Sequence, residues 1–535
     1  MVARGYHVRP RGIKGSNCYT GPMIRSYVTV SSGTLASRLL GFARDSMVAA
    51  LLGAGPVADA FLVAFQLVNV VRRLLTEGAL NAALVPVWLR LRDTEGAAAA
   101  AAFAGKLLGT VSVALIAATA LIGLGMPLLI NGLAPGFAGS DALAMAVADA
   151  RLMLPYLAFA GPVTVLMAVM NAQGRFALTA FSPLLFNVAL IVVMAGLLLW
   201  RQDAAHAATI LAGVVGIAGL LQLSMLMLRR GENAATPLRV SLDAEMRGFF
   251  VKAVPGMIAS SGPQLLMIAA AIIASASPSA VSWLYFANRL IELPLGLVGV
   301  AMGTVLVGEL SRAARSGDAA AMAHAESRAL ELAAGLALPA ALGLIVLAGP
   351  IVRLLFEHGA FTAGDTAATA RALMWLALGL PAQVLFKALA PAFFARENTA
   401  TPLVSVLKGV AFALAASFLF GHLFGAEGIA AGIALGAWSS ALSLAREGAT
   451  RFGFAIDAAA RRRLPRIAVA ALVMTAAIWW MLRFLPSPGF AQAIALAALI
   501  ACGIAIYGLL LQLFGVTGWR QAVNALKAAP RDLRG

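Results

Sequence analysis

Apolar runs of about 20 residues, broken by short polar or Gly/Pro segments, recur from one end of the chain to the other. Runs of that length match the thickness of a bilayer core. About fourteen are predicted, centred near residues 38, 67, 118, 160, 190, 218, 263, 295, 342, 380, 411, 436, 474 and 503. The connections reach only about 15 to 20 residues, so no soluble domain is expected between them. The pattern predicts an all-α polytopic membrane protein.

Basic residues divide the connections into two sets. Those holding Arg90 and Arg92, Arg175, Arg229 and Arg230, Arg312 and Arg315, Arg396, and Arg461 to Arg466 alternate with others holding little beyond Arg201, Arg353, Arg371 and Arg483. By the positive-inside rule both termini are expected in the cytoplasm, which requires an even number of spans. The formal net charge of +17 is therefore mostly a topology signal. Its spread over many short loops argues against nucleic acid as a partner.

Composition narrows the class further. Of 535 residues 61% are hydrophobic and 12% charged, too few charges for a water-facing surface. Cys18 and Cys502 suggest neither a disulfide framework nor a thiolate metal site, and His358 and His422 stand alone at span ends. No metal site is expected. Walker A, Gly-x-Ser-x-Gly and His-Glu-x-x-His patterns do not occur, so neither an enzyme nor a cofactor is indicated. Residues 1–22 lack the apolar core of a secretory signal and read as a disordered basic extension, or as sequence upstream of a start at Met23.

An internal repeat organises the rest. Leu84-Val85-Pro86 with Arg90 and Arg92 matches Leu306-Val307-Gly308 with Arg312 and Arg315, and Pro127 matches Pro350. Ala134-Pro135-Gly136-Phe137 matches His358-Gly359-Ala360-Phe361, Pro162 matches Pro381, and Ser182-Pro183 matches Thr401-Pro402. The offset holds at roughly 219 to 224 residues, so six spans are duplicated in parallel orientation. The expected organisation is a six-helix bundle over 23–232, a second over 233–452, two extra spans over 453–515 and a basic tail over 516–535. Two such bundles about a pseudo-two-fold axis suggest a transporter that rocks around a midplane site.

Charges inside the spans mark that site, because an ionised group at the bilayer centre costs roughly 2.5 to 3.5 kcal/mol on insertion scales. The first two spans hold Arg38, Arg44, Asp45, Asp59, Arg72, Arg73 and Glu77. At 100° per residue Asp59, Gln66, Arg73 and Glu77 fall within about 40° of one another, with Asn69 about 80° away and Arg72 pointing elsewhere. Arg73 and Glu77 are also spaced for a local ion pair. Arg38 and Asp45 share a face, Arg44 is turned by about 120°, and Asp45 can neutralise either arginine. Gly41 lies between them and loosens the helix. Asn288, Arg289 and Glu292 in the eighth span, Lys387 in the tenth and Lys408 in the eleventh add to the set. A cationic cavity results, and arginine's planar fork suits phosphate or diphosphate.

Ser37-Arg38-Leu39-Leu40-Gly41-Phe42-Ala43-Arg44-Asp45, Asp59-Ala60-Phe61 and Asn69-Val70-Val71-Arg72-Arg73-Leu74 with Glu77-Gly78-Ala79 resemble the opening of the MurJ/MviN lipid II flippases. These belong to the multidrug/oligosaccharidyl-lipid/polysaccharide exporter superfamily. Leu355-Phe356-Glu357-His358-Gly359-Ala360-Phe361 and Phe393-Phe394-Ala395-Arg396 with Thr401-Pro402 extend the likeness over nearly the whole chain from Met23. The resemblance implies an inner-membrane flippase for cell-wall biogenesis. It would carry the undecaprenyl-diphosphate-linked peptidoglycan precursor, lipid II, to the periplasmic leaflet, with membrane lipids and cell-wall synthesis proteins as partners. Carried over by position, its cavity arginines are Arg38, Arg44, Arg72 and Arg289, its important acid is Asp59, and Glu77, Glu292 and Lys387 support them. The last two helices would form a groove for the lipid tail.

Gln66, Val68, Asn288 and Gly308 depart from residues common in that family, namely Lys, Pro, Asp and Pro. The first and third changes cancel in charge. The seventh, eleventh and twelfth spans lack a buried carboxylate, so sodium coupling is not expected. Two other readings remain: an exporter of another polyprenyl-diphosphate-linked glycan, and a polyprenyl-phosphate-processing enzyme, which would need an acidic metal cluster.

Overall fold

Proline and glycine divide the chain where the apolar pattern breaks. Pro56 opens one helix, Pro155 sits at the first turn of another, and Gly425, at φ 57°, hinges a third. The computed structural model describes residues 20–76, 79–228, 235–296, 319–394, 396, 398–454 and 456–516, and these contain helices and no strand. Glu77 lies outside them, and so does the side chain of Arg73.

The first half of the chain contributes α1 (Thr20–Leu52), α2 (Pro56–Thr76), α3 (Ala79–Glu95), α4 (Ala97–Leu124), α5 (Met126–Leu133), α6 (Asp141–Met153), α7 (Pro155–Ala172), α8 (Phe176–Leu199) and α9 (Ala204–Leu228). The second contributes α10 (Ala244–Ser260), α11 (Gly262–Ala274), α12 (280–296), α13 (Ala319–Phe356), α14 (Ala363–Phe394) and α15 (Ala400–Phe452). The chain continues with α16 (Ala458–Met481) and α17 (Phe490–Leu513). Each predicted centre falls on a described helix, with 411 and 436 on the two arms of α15. Among the described residues, nine helical segments are long and apolar enough to cross a membrane. The nine do not include the charged α1 and α2.

Within the first half α1 packs on α8, α2 on α6, and α7 on α9; within the second, α14 lies between α13 and α15, and α11 packs on α15. One apolar core runs through both halves, from Phe61, Leu157 and Leu211 to Phe286, Phe356 and Leu380. A smaller cluster of Leu347, Met474, Ile478 and Leu499 seats α16 and α17 on α13, where the Tyr507 hydroxyl donates to the Gly335 carbonyl at 2.8 Å.

Two elements differ from a plain string of spans. Residues 79–95, expected as a polar connection, form α3: Leu84, Trp88 and Leu91 recur at helical spacing and are buried, while Arg90, Arg92, Asp93 and Glu95 stay outside. Residues 235–243 form an extended strap from the first half to the second. The Thr110 hydroxyl of α4 donates to Ser241 O and accepts from Ser241 N, both at 3.0 Å. Lys106 Nζ donates to Asp243 at 2.9 Å, and that carboxylate also accepts from Met246 N, capping α10.

Lys106 first, then the Met246 amide and Ser241, lower the Asp243 carboxyl to about 2. A depressed carboxylate supports the fold above its unfolded value near 3.9 and loses that contribution as pH falls through its folded value. Protection of the 235–246 amides against hydrogen exchange is therefore expected to be flat from about pH 5 to 8 and to fall below about pH 4. Asp243→Asn is expected to lower it at neutral pH; equal protection in the variant at pH 7 would remove Asp243 as the anchor.

Candidate functional site

Helical spacing brings one polar stripe from each of several helices to the boundary between the halves. On α1 it is Arg38, Gly41 and Asp45; on α2, Gln66 and Asn69; on α12, Tyr285, Asn288, Arg289, Glu292 and Gly296; on α14, Gln383 and Lys387. All of these except Gly41 and Asp45 line a cavity of about 250 Å³, to which α11 adds Gln264.

Close approach of α1 and α12 depends on two glycines. A Cβ at position 41 would meet Arg289 Nη2 at 2.7 Å, and one at position 296 would collide with the Arg38 guanidinium. Each helix thus lays an arginine over a glycine of the other.

Behind the cavity wall the charges join into a chain. Arg44 donates twice to Asp45 Oδ1, from Nε at 2.9 Å and Nη2 at 2.6 Å, and once to Asn187 Oδ1 at 3.1 Å. Its guanidinium also lies 5.1 Å from the Phe65 ring centroid and 5.7 Å from that of Phe186. Asp45, 1% exposed, turns its other oxygen to Arg289 across the boundary and accepts from the Tyr285 hydroxyl at 3.3 Å. Arg289 Nη1 then pairs with Glu292 at 2.7 Å, and Asn288 Nδ2 reaches the same carboxylate at 3.5 Å. Two arginines and two acids sum to zero charge. Arg38 and Lys387 tip the cavity wall positive.

The described site residues expected from sequence therefore separate into four places. Arg38, Gln66, Asn288, Arg289, Glu292 and Lys387 line the cavity. Arg44 and Asp45 sit behind it, and Arg72 donates to Asn69 Oδ1 on its rim, at 2.9 Å from Nη2. Asp59 is elsewhere: its buried carboxylate accepts from Ser279 N at 2.8 Å, Ser282 N at 2.9 Å and the Ser282 hydroxyl, capping the N-terminus of α12 from the opposite half. Among the described residues, Asp45 pairs with Arg44 and Arg289, and Glu292 pairs with Arg289. Sequence reasoning passed over Tyr285, one turn from Arg289 on the same face, and the span amides Asn187, Gln264 and Gln383. Among the described residues no group of three His, Cys, Asp or Glu is placed to hold a metal ion.

Past Asp45, toward the α2 start, the halves are stitched together. The Ser46 hydroxyl donates to Leu355 O, Ala360 N donates to Ala50 O at 2.8 Å, and Gly136 N donates to the Ser275 hydroxyl at 3.0 Å. The loops 134–137 and 358–361, matched by the repeat, each dock on the other half. A Cβ on Gly136 would strike the Ser275–Ala276 backbone. Gly136→Ala is expected to leave the fold intact and to cut hydrogen-exchange protection across 134–137 and 275–282 about tenfold, through loss of roughly 1.4 kcal/mol of closure. Unchanged protection would mean that this contact does not hold the end shut.

A family model described as Lipid II flippase MurJ matches residues 48–500. A "Probable lipid II flippase MurJ" from Rhizobium meliloti is 37% identical over 496 residues, covering 91% of this chain and 92% of that protein. The Lipid II flippase MurJ of Burkholderia cenocepacia is 34% identical over 432 residues, covering 79% and 83%. A solved structure of a lipid II flippase MurJ in an inward closed conformation superposes with a TM-score of 0.74 at 22% identity, covering 93% of this chain and 100% of that one, and shares the fold.

Proposed function

The chain belongs to the lipid II flippase MurJ family, and from that premise we propose that it moves a polyprenyl-diphosphate-linked peptidoglycan precursor, lipid II, between membrane leaflets. The observation that carries this reading is the cationic cavity between the halves, in which Arg289 already pairs with two carboxylates. An entering diphosphate offers the same acceptor geometry as Asp45 and Glu292, with more charge. It takes Arg38 and Lys387 first and then competes for Arg289. Partner exchange avoids leaving any buried ion bare, which keeps the barrier low. As Arg289 releases Asp45, the bond across the halves weakens and the stitched end can part.

The arginine-rich face is assigned to the cytoplasm of a bacterial inner membrane, with both chain termini there. The stitched end then faces the periplasm. Export of each negative charge down an inside-negative potential yields about 2.3 kcal/mol per 100 mV. The helices α16 and α17, seated on α13, offer the long lipid tail a path beside the bundle. The action is transport rather than catalysis, and enzymes that make or use lipid II are the partners its substrate implies.

The test is the leaflet location of lipid II in cells depleted of their own flippase. Cells carrying the intact chain are expected to regain periplasmic lipid II, and those carrying Arg38→Ala at equal membrane levels to regain about tenfold less. No restoration by the intact chain at normal membrane levels would exclude lipid II as its cargo.

A further inference from the structure

A second set of cations lies away from the cavity, on the outer face of the second half. The two arms of α15 run antiparallel from the hinge at Gly425, and they touch closely near Gly409, where a Cβ would meet Gly436 O at 2.7 Å. Toward the Ala400 and Phe452 ends the Ser405 and Ser443 hydroxyls stand 3.4 Å apart. Between the arms opens a groove of about 450 Å³ lined by Lys408, Ser439, Leu442, Ser443, Arg446 and Glu447. Residues 439, 442, 443, 446 and 447 form one helical face, and Lys408 looks onto it from the other arm.

Charge is unbalanced in this groove. Glu447 is occupied by Arg451, which donates to it at 2.8 Å. Lys408 and Arg446, both exposed, have no carboxylate partner among the described residues. Lys408 lies eight residues into its helix, about 12 Å from Ala400, so its ammonium must reach back toward that end to leave the hydrocarbon. Arg446 sits in that direction on the facing arm. Beside them Val404, Leu407, Leu435 and Leu442 are exposed, an apolar surface for hydrocarbon chains.

We propose that this groove binds the phosphate headgroup of an anionic phospholipid, with Lys408 and Arg446 on the phosphate, the Ser439 and Ser443 hydroxyls on the headgroup, and the acyl chains along Leu407, Leu435 and Leu442. The flanking arginines, Arg396, Arg451 and Arg461 to Arg463, mark this as the cytoplasmic leaflet under the positive-inside rule. Basic pockets between helices on that side suit anionic headgroups, and the apolar flank selects a lipid over a free anion. The site is independent of the cargo assigned to the central cavity.

The experiment titrates the full purified chain with phosphatidylglycerol or phosphatidylcholine and counts retained lipid by native mass spectrometry. Phosphatidylglycerol is expected to be retained preferentially, and Lys408→Gln with Arg446→Gln to weaken its retention about tenfold. Lys408→Arg is expected to keep it, and Arg483→Gln, which removes a distant surface charge, to leave it unchanged. Equal retention by the double variant, no preference over phosphatidylcholine, or an equal loss in Arg483→Gln would overturn the site. Displacement by millimolar inorganic phosphate would overturn the lipid assignment and leave a soluble anion as the ligand.

Discussion

Arg289→Ala is expected to lower transport by roughly a hundredfold and to destabilise the protein by about 3 kcal/mol. Arg289 joins Asp45 of α1 to Glu292 of its own helix, and Asp45 is almost wholly buried. Truncation leaves one buried carboxylate dependent on Arg44 and Tyr285 and takes its arginine partner from the half-buried Glu292. Part of the loss is thus desolvation of stranded acids rather than loss of contact with cargo. A second substitution separates the two. Asp45→Asn in the Arg289→Ala background is expected to recover much of the stability without recovering transport, because the acid is gone but the cation is not restored. Arg289→Lys is expected to fall between, retaining charge without the fork that spans two partners. Thermal unfolding and initial rates in proteoliposomes read the two effects. Recovery of transport in the double variant would show that Arg289 serves only to balance Asp45.

Asp59→Asn is expected to release the stitched end. The native carboxylate accepts from two backbone amides and a hydroxyl on α12. Asparagine has a single acceptor oxygen and turns an amide toward donors. Loss of a charged cap costs about 1 to 2 kcal/mol, roughly a fivefold to thirtyfold shift in the population of the closed arrangement. Since the cap joins the halves, protection of Ser282, Gly136 and Ala360 should fall together, and transport with it. Loosening confined to the start of α12, with Gly136 and Ala360 unchanged, would reduce Asp59 to an ordinary helix cap.

The stripe on α1 was legible from spacing alone, whereas on α2 spacing found Gln66 but set Asn69 and Arg72 off the face, and both lie at the cavity. Arg38 shares a face with Asp45 and lies over α12, while Arg44, turned by about 120°, points back to Asn187. The partner of Asp45 across the boundary was not legible, because a helical wheel orders residues within one helix and carries no information about the next. For the same reason the repeat located loops 134–137 and 358–361 without revealing that each docks on the opposite half. Asp59 shares its stripe with Gln66, but two helical turns of separation put one on the cavity and the other on the α12 start. Helix α3 was hidden by its charges, since Arg90, Arg92, Asp93 and Glu95 outweigh the three buried positions in any count of composition.

The cap on α12 also bears on the symmetry of the contact between the halves. Asp59 and Ser282 are 223 positions apart, whereas the nearest matched pair, Leu84 and Leu306, sets the offset at 222, so the position matched to Asp59 is Val281, beside the capped Ser282. The second half thus has no carboxylate at that position to cap the first in return, and the bond is one-sided. A contact made by only one of two matched positions is open to a single chain whose halves differ and closed to a symmetric pair of identical subunits, in which every contact occurs twice.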